Sequence, residues 1–147
     1  MNENKNNTGQ QQQLPIGYYL KLADKCLTNG IDEIQFKHGI NRIEWQVLNS
    51  INERPEVSTN AIFEQMKPIA DKPMIESILK KYLDNNQVVI NNNILSLTFT
   101  GKELHKLCMN AQIEFRKKAM HGISEAEYKT TIATLQKLIA NISLNSM

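Results

Sequence analysis

Apolar residues recur along this chain at helical spacing in six stretches and in β-prone runs at one place only. Ile16, Tyr19, Leu20, Ala23 and Leu27 form a single stripe, with Pro15 suited to a first turn, and predict a helix from Leu14 to about Thr28. Asn29-Gly30 is expected to interrupt or end it, with a resumed turn through Ile31, Ile34 and Phe36 left open, and Gly39 marks a short connection. Asn41, with Glu44 three residues on, makes a variant capping box ahead of Ile43, Val47, Leu48 and Ile51, which predicts a second helix over about 42–52. Arg54-Pro55-Glu56 breaks it. Ser58-Thr59-Asn60 caps a third helix carrying Ile62, Phe63 and Met66, and Pro68 closes that helix. Asp71 caps a fourth, with Pro73 tolerated in its first turn, and Ile75, Ile78, Leu79, Tyr82 and Leu83 fall at the spacing of one buried stripe.

Two β-prone runs follow, Val88 to Ile90 and Ile94 to Phe99, separated by Asn91, Asn92 and Asn93, a residue type that tolerates turn geometry. Helix, turn, helix, hairpin over residues 58–99 is the order of a winged helix-turn-helix, a module whose commonest use is reading double-stranded DNA. Beyond it, Leu104, Leu107, Cys108, Ala111 and Phe115 share a face of a long helix. Gly122 separates that helix from a last one, entered through a Ser124/Glu127 capping box and bearing Ile132, Leu135, Leu138, Ile139 and Ile142. The expected fold class is mainly α with a small β-hairpin wing. The outer helices are too apolar on one side for a single chain of 147 residues to cover, which predicts self-association.

Composition narrows this picture modestly. Hydrophobic residues make up 41% and aromatics 6%, favouring aliphatic helical seams over a large sheet, and the length suits one domain over residues 14–147. Residues 1–13, MNENKNNTGQQQQ, offer almost nothing apolar to bury and are expected to be a disordered tail. A formal net charge of +2 is compatible with nucleic-acid binding without requiring it. Cys26 and Cys108 form no CxxC pair, no apolar run approaches a membrane span, and no secretory leader is evident, so a reducing cytoplasm is the expected setting. There is no GxSxG, glycine-rich phosphate loop or HExxH, so no enzyme activity, catalytic residue, cofactor or metal is expected.

Three local patterns carry a family resemblance: Ile43-Glu44-Trp45-Gln46-Val47-Leu48, the entry to the hairpin through Tyr82-Leu83 and Val88-Val89, and its exit through Leu97-Thr98-Phe99-Thr100-Gly101-Lys102. In this order and spacing, from about Leu14 to Ile142, the chain resembles the MarR family of bacterial transcription regulators. The resemblance implies a homodimer in which helices over 14–36 and 100–147 interlock, while residues 41–99 form the winged helix-turn-helix. Each recognition helix would enter a major groove, and each wing would reach a flanking minor groove of a pseudo-palindromic duplex. On matching positions it implies that Lys72, Met74, Ser77 and Lys81 face DNA, with Asn91, Asn92 and Asn93 at the wing tip. It also implies that a small-molecule effector releases the DNA, with Tyr18, Tyr19 and Trp45 as candidate pocket residues.

The chain departs from the family where charge matters. The recognition helix usually opens with small hydroxyl residues and carries Arg, and the wing tip usually presents arginines; here Asp71-Lys72-Pro73-Met74 and three asparagines stand instead. Between Ser58 and Leu104, five lysines face five carboxylates. Because phosphate neutralisation supplies much of the affinity for a duplex, a winged-helix module that meets a protein partner instead of DNA remains the alternative. Other features carry two readings each. His105 and Cys108 at i, i+3 are a metal-ligand pair or ordinary packing; Cys26 and Cys108 are oxidation sensors or buried, inert thiols; Trp45 lines a cavity or fills the core; Tyr18 and Tyr19 line a cavity or pack in an interface.

Overall fold

The computed structural model of the protein describes residues 13–145, so the expected tail, apart from Gln13, lies outside the described residues. The elements follow the expected order: α1 (Ile16–Lys37), α2 (Arg42–Glu53), α3 (Thr59–Met66), α4 (Lys72–Asp84), β1 (Val88–Asn91), β2 (Ile94–Leu97), α5 (Phe99–Ala119) and α6 (Glu125–Asn145). This is a mainly α fold with one antiparallel hairpin between α4 and α5.

The expected break at Asn29-Gly30 does not occur, and α1 continues to Lys37. The ring of Phe115, on α5, stands 2.2 Å from where a Cβ on Gly30 would lie. The glycine is there for close packing between helices, not for a turn. The turn comes later, at Gly39, whose φ of 77° suits a residue without Cβ. Three expected caps then start three helices. Asn41 Oδ1 accepts from the Glu44 N–H at 2.8 Å while Glu44 Oε1 accepts from the Asn41 N–H at 3.2 Å, completing the capping box of α2. Ser58 Oγ accepts from the Ala61 N–H at 3.0 Å, and Asp71 Oδ1 from the Met74 N–H at 3.0 Å.

With their ends fixed, α2, α3, α4, the hairpin and α5 bury one aliphatic core, in which Val47, Leu48, Ile62, Met66, Ile75, Tyr82, Val88, Leu95 and Cys108 are essentially inaccessible. Tyr82 brings a hydroxyl into this core and satisfies it by donating to the Glu44 backbone carbonyl at 2.7 Å. Burial pushes its phenol far above the ordinary value. Leu83, expected in the same stripe, lies at its edge and is exposed.

The hairpin pairs Val88 with Leu97, Val89 with Ser96, Ile90 with Leu95 and Asn91 with Ile94. Asn92 and Asn93, at φ of 52° and 65°, form the two-residue left-handed turn that matches the twist of paired strands. The second strand ends at Leu97, short of the expected Phe99, because Thr98 begins the next helix. Its Oγ1 accepts from the Gly101 N–H at 3.1 Å and donates to the Asn86 carbonyl at 2.6 Å. A Cβ on Gly101 would meet the Gln87 carbonyl oxygen at 1.9 Å, so only glycine lets α5 start this close to the root of the hairpin.

The chain divides into two compact units between Phe115 and Arg116. The second contains the last turn of α5, a left-handed Gly122 with φ of 79°, and α6. The expected capping box opens α6: Ser124 Oγ accepts from the Glu127 N–H at 3.0 Å, and Glu127 Oε1 from the Ser124 N–H at 3.0 Å. These bonds hold the Glu127 carboxyl below its ordinary pKa. No helix among the described residues is long and apolar enough to cross a membrane.

Candidate nucleic-acid interface

Burying Ile75, Ile78, Leu79 and Tyr82 fixes the rotation of α4 and leaves Lys72, Met74, Glu76, Ser77 and Lys80 on its exposed side. The hairpin is tied to the start of α3 by a bridge between Ser58 and Ile94, with the Leu95 N–H donating to Val57 O at 2.8 Å and the Thr59 N–H donating to Asn93 O at 3.1 Å. The helix-turn-helix and its wing therefore share backbone hydrogen bonds as well as a core. Asn91, Asn92 and Asn93 stand exposed at the tip.

Every lysine on α4 has a carboxylate partner. Lys72 Nζ lies 4.0 Å from Glu76 and 5.2 Å over the Phe63 ring, and Lys80 Nζ lies 2.7 Å from Asp84. The hydrogen bond to Asp84 and its charge raise the Lys80 pKa. Lys81 differs from both. Its ammonium turns back toward the α2 N-terminus, 2.5 Å from Glu44 Oε2 and 3.2 Å from the Gly39 carbonyl, and the Glu44 side chain is only 9% exposed. Glu44 thus caps α2 through one oxygen and holds α4 through the other. The sequence shows its capping role, but not its hold on a residue 37 positions away.

Of the candidate pocket residues, Tyr18 and Tyr19 meet edge to face at 5.5 Å on α1 and remain exposed, and the Tyr19 hydroxyl accepts from the Leu14 N–H at 3.1 Å. Trp45 is 8% exposed, stacks on His105 at 4.9 Å and joins the core while also lining a cavity among α1, α2 and α5. The tyrosines do not line that cavity; Gln35 and Gln112 do, and sequence reasoning missed both. His105 Nε2 meets Asn49 Oδ1 at 2.8 Å, and burial lowers its pKa. Cys108 is buried, which pushes its thiol up to about 11, whereas Cys26 is exposed, against the buried-thiol reading of that residue. No group of three His, Cys, Asp or Glu residues among the described residues is placed to hold a metal.

No family model and no curated protein matches the chain. Solved structures do. MepR, a transcription regulator of the Staphylococcus aureus multidrug efflux pump MepA, superimposes with a TM-score of 0.73 at 14% identity, covering 88% of this chain and 99% of its own. The reduced form of MarR from E. coli gives 0.68 at 14% identity over 88% and 96% of the two chains. A MarR family protein of Mycobacterium tuberculosis, in complex with DNA, gives 0.68 at 18% identity over 86% and 98%. The chain has the fold of MarR family transcription regulators over most of its length.

Proposed function

We propose that this chain is a cytoplasmic transcription regulator that binds a pseudo-palindromic DNA duplex as a homodimer. The observation that carries this reading is the combination of α4, exposed along Lys72, Met74 and Ser77, with a wing whose two-residue turn presents asparagines beside it. A helix of this kind fits a major groove, where the Ser77 hydroxyl reads base edges and Lys72 contacts phosphate. Asn91, Asn92 and Asn93 are neutral donors suited to the neighbouring backbone or minor groove. Lys81 has a different part, holding α4 against α2.

Dimerisation is assigned to residues 14–36 and 100–147. Ile16, Tyr19, Leu20 and Leu27 on α1 are all exposed, as are Ile132, Ile139 and Ile142 on α6, and a second copy of the chain is the partner that two such stripes suit. Sedimentation equilibrium should then give twice the chain mass of 16.8 kDa; a single species at 16.8 kDa would remove the dimer. A small-molecule effector that releases the DNA completes the reading.

Fluorescence anisotropy with duplexes from the protein's own promoter region, repeated at several salt concentrations, tests DNA binding. Saturable binding is expected, weakening with salt at a slope of about 0.9 per phosphate contact. The pairing of all three α4 lysines with carboxylates favours a second reading, in which this face meets a protein. Failure to bind duplex at low salt, with the fold intact, would favour it.

A further inference from the structure

The cationic excess of the chain does not lie in the winged helix-turn-helix. In the second compact unit Arg116, Lys117, Lys118, Lys129 and Lys137 outnumber Glu125 and Glu127, a formal +3, whereas the whole chain carries +2, so the first unit is −1. Three of those cations are consecutive in the last turn of α5, and residues 115–124 contain no carboxylate.

Basic side chains often close a helix by complementing its terminal carbonyls. Here the backbone already does so. The Arg116 carbonyl accepts from the Met120 N–H at 2.9 Å, that of Lys118 from the His121 N–H at 3.2 Å, and that of Met120 from the Ile123 N–H at 3.0 Å. Neither Arg116 nor Lys118 has a carboxylate partner among the described residues, in contrast to every lysine of α4. The carboxylates that follow are engaged, Glu125 with Lys129 at 3.0 Å and Glu127 with the Ser124 N–H.

Between the cations and α6, the turn through Gly122 presents Met120, 38% exposed, and Ile123, 47% exposed. One exposed apolar side chain is ordinary, but two at a turn, next to three cations and His121, match a surface that is anionic outside and apolar just beneath. A duplex offers phosphates without an apolar layer under them; a phospholipid bilayer offers both. The α6 stripe assigned to dimerisation begins at Ile132, roughly two turns beyond the tip, so the two contacts do not compete.

We propose that the turn between α5 and α6 docks on an anionic phospholipid surface. Arg116, Lys117 and Lys118 lie at the headgroup phosphates, and Met120 and Ile123 reach the acyl boundary. The contact uses no residue of α4 or the wing, so it stands or falls separately from DNA binding.

The test is sedimentation of the full chain with vesicles of phosphatidylcholine alone and of phosphatidylcholine with phosphatidylglycerol at about 2:1. Binding is expected to the anionic vesicles only. Lys118→Gln should weaken it about fivefold, whereas Lys137→Gln, the same charge loss farther along α6, should change it less than about twofold. Ile123→Ser should also weaken it, and Ile123→Trp should show a blue-shifted emission with anionic vesicles that the parent chain lacks; the second variant carries this arm should the first fail to fold. Promoter-duplex affinity should be the same in Lys118→Gln as in the parent. The proposal is overturned by absence of binding to anionic vesicles at low salt, by equal losses in the two glutamine variants, or by an Ile123→Trp emission that vesicles leave unmoved. Loss of duplex affinity in Lys118→Gln without any vesicle binding would overturn it in favour of a nucleic-acid contact at this turn.

Discussion

Replacing Glu44 or Lys81 should weaken the fold through one shared interaction, and a double-mutant cycle isolates it. Glu44→Gln keeps an oxygen for the Asn41 N–H and leaves the Glu44 backbone carbonyl free to accept from Tyr82, so helix capping and the core bond survive. Lys81→Met keeps the aliphatic stem and removes the ammonium. A charge-assisted hydrogen bond contributes about 1.5–3 kcal/mol when well shielded. Here the Lys81 side chain is 45% exposed against 9% for Glu44, so solvent screening lowers the expected coupling to about 1–1.5 kcal/mol. Lys81→Met should be the more damaging single change, because it leaves a mostly buried carboxylate without its cation.

Urea unfolding at one fixed protomer concentration measures each variant, since association would otherwise shift the midpoints. With a slope of about 1.5–2 kcal/mol per molar urea, the coupling corresponds to roughly 0.5–1 M in midpoint. A coupling below about 0.5 kcal/mol would refute the clamp, being no more than the usual non-additivity of independent sites. The same variants bear on DNA. If α4 binds DNA as proposed, Glu44→Gln frees the Lys81 ammonium on it, so the salt slope should steepen by about 0.9 for each phosphate that Lys81 then reaches.

Three further outcomes follow from particular contacts. Gly101→Ala should destabilise by more than about 2 kcal/mol, since the new methyl meets backbone at 1.9 Å, whereas Gly30→Ala should cost less because it meets the Phe115 ring and gains helix propensity; thermal melts that rank them the other way would refute this. His105 has a lowered pKa, so below its ordinary value of about 6.5 the unfolded chain takes up the proton first. Stability should therefore fall as pH drops from about 7 until the folded protein is protonated as well, and His105→Gln should flatten that part of the pH profile; an identical profile in the variant counts against the assignment. In a Cys26→Ser protein, Cys108 should react with a thiol reagent only on unfolding, because burial holds its thiol protonated with a pKa of about 11; rapid reaction in the native state would show that the site opens.

Periodicity and caps made most of this fold legible, since Asn41, Ser58, Asp71 and Ser124 each act over a few residues and need no knowledge of the rest of the chain. The reading failed where distant contacts decide. Gly30 looks like a helix breaker until Phe115, 85 positions later in the chain, is seen in its place, and Phe99 looks like strand until Thr98 turns the backbone into α5. The candidate site follows the same division. The stripe that turns Ser77 outward is local, whereas the Glu44 partner of Lys81 and the placing of Gln35 and Gln112 on one cavity wall arise only from packing.

The same distinction bears on how tightly a charge-balanced module can hold DNA. Lys72 and Lys80 pair within α4 at exposed positions, with Lys72 4.0 Å from its carboxylate, and such pairs contribute little to stability. A phosphate that approaches either lysine displaces a partner of small net worth, so both remain available to a duplex despite their pairing. Lys81 is different because its departure would strand a carboxylate that is 9% exposed at the start of α2. If α4 meets DNA as proposed, its available cationic charge therefore comes from its first turn and its solvent edge. On the proposed DNA-binding reading, specificity falls to the neutral groups, Ser77 on the helix and the asparagines at the wing, and the duplex affinity should be modest and less salt-dependent than in an arginine-bearing winged helix.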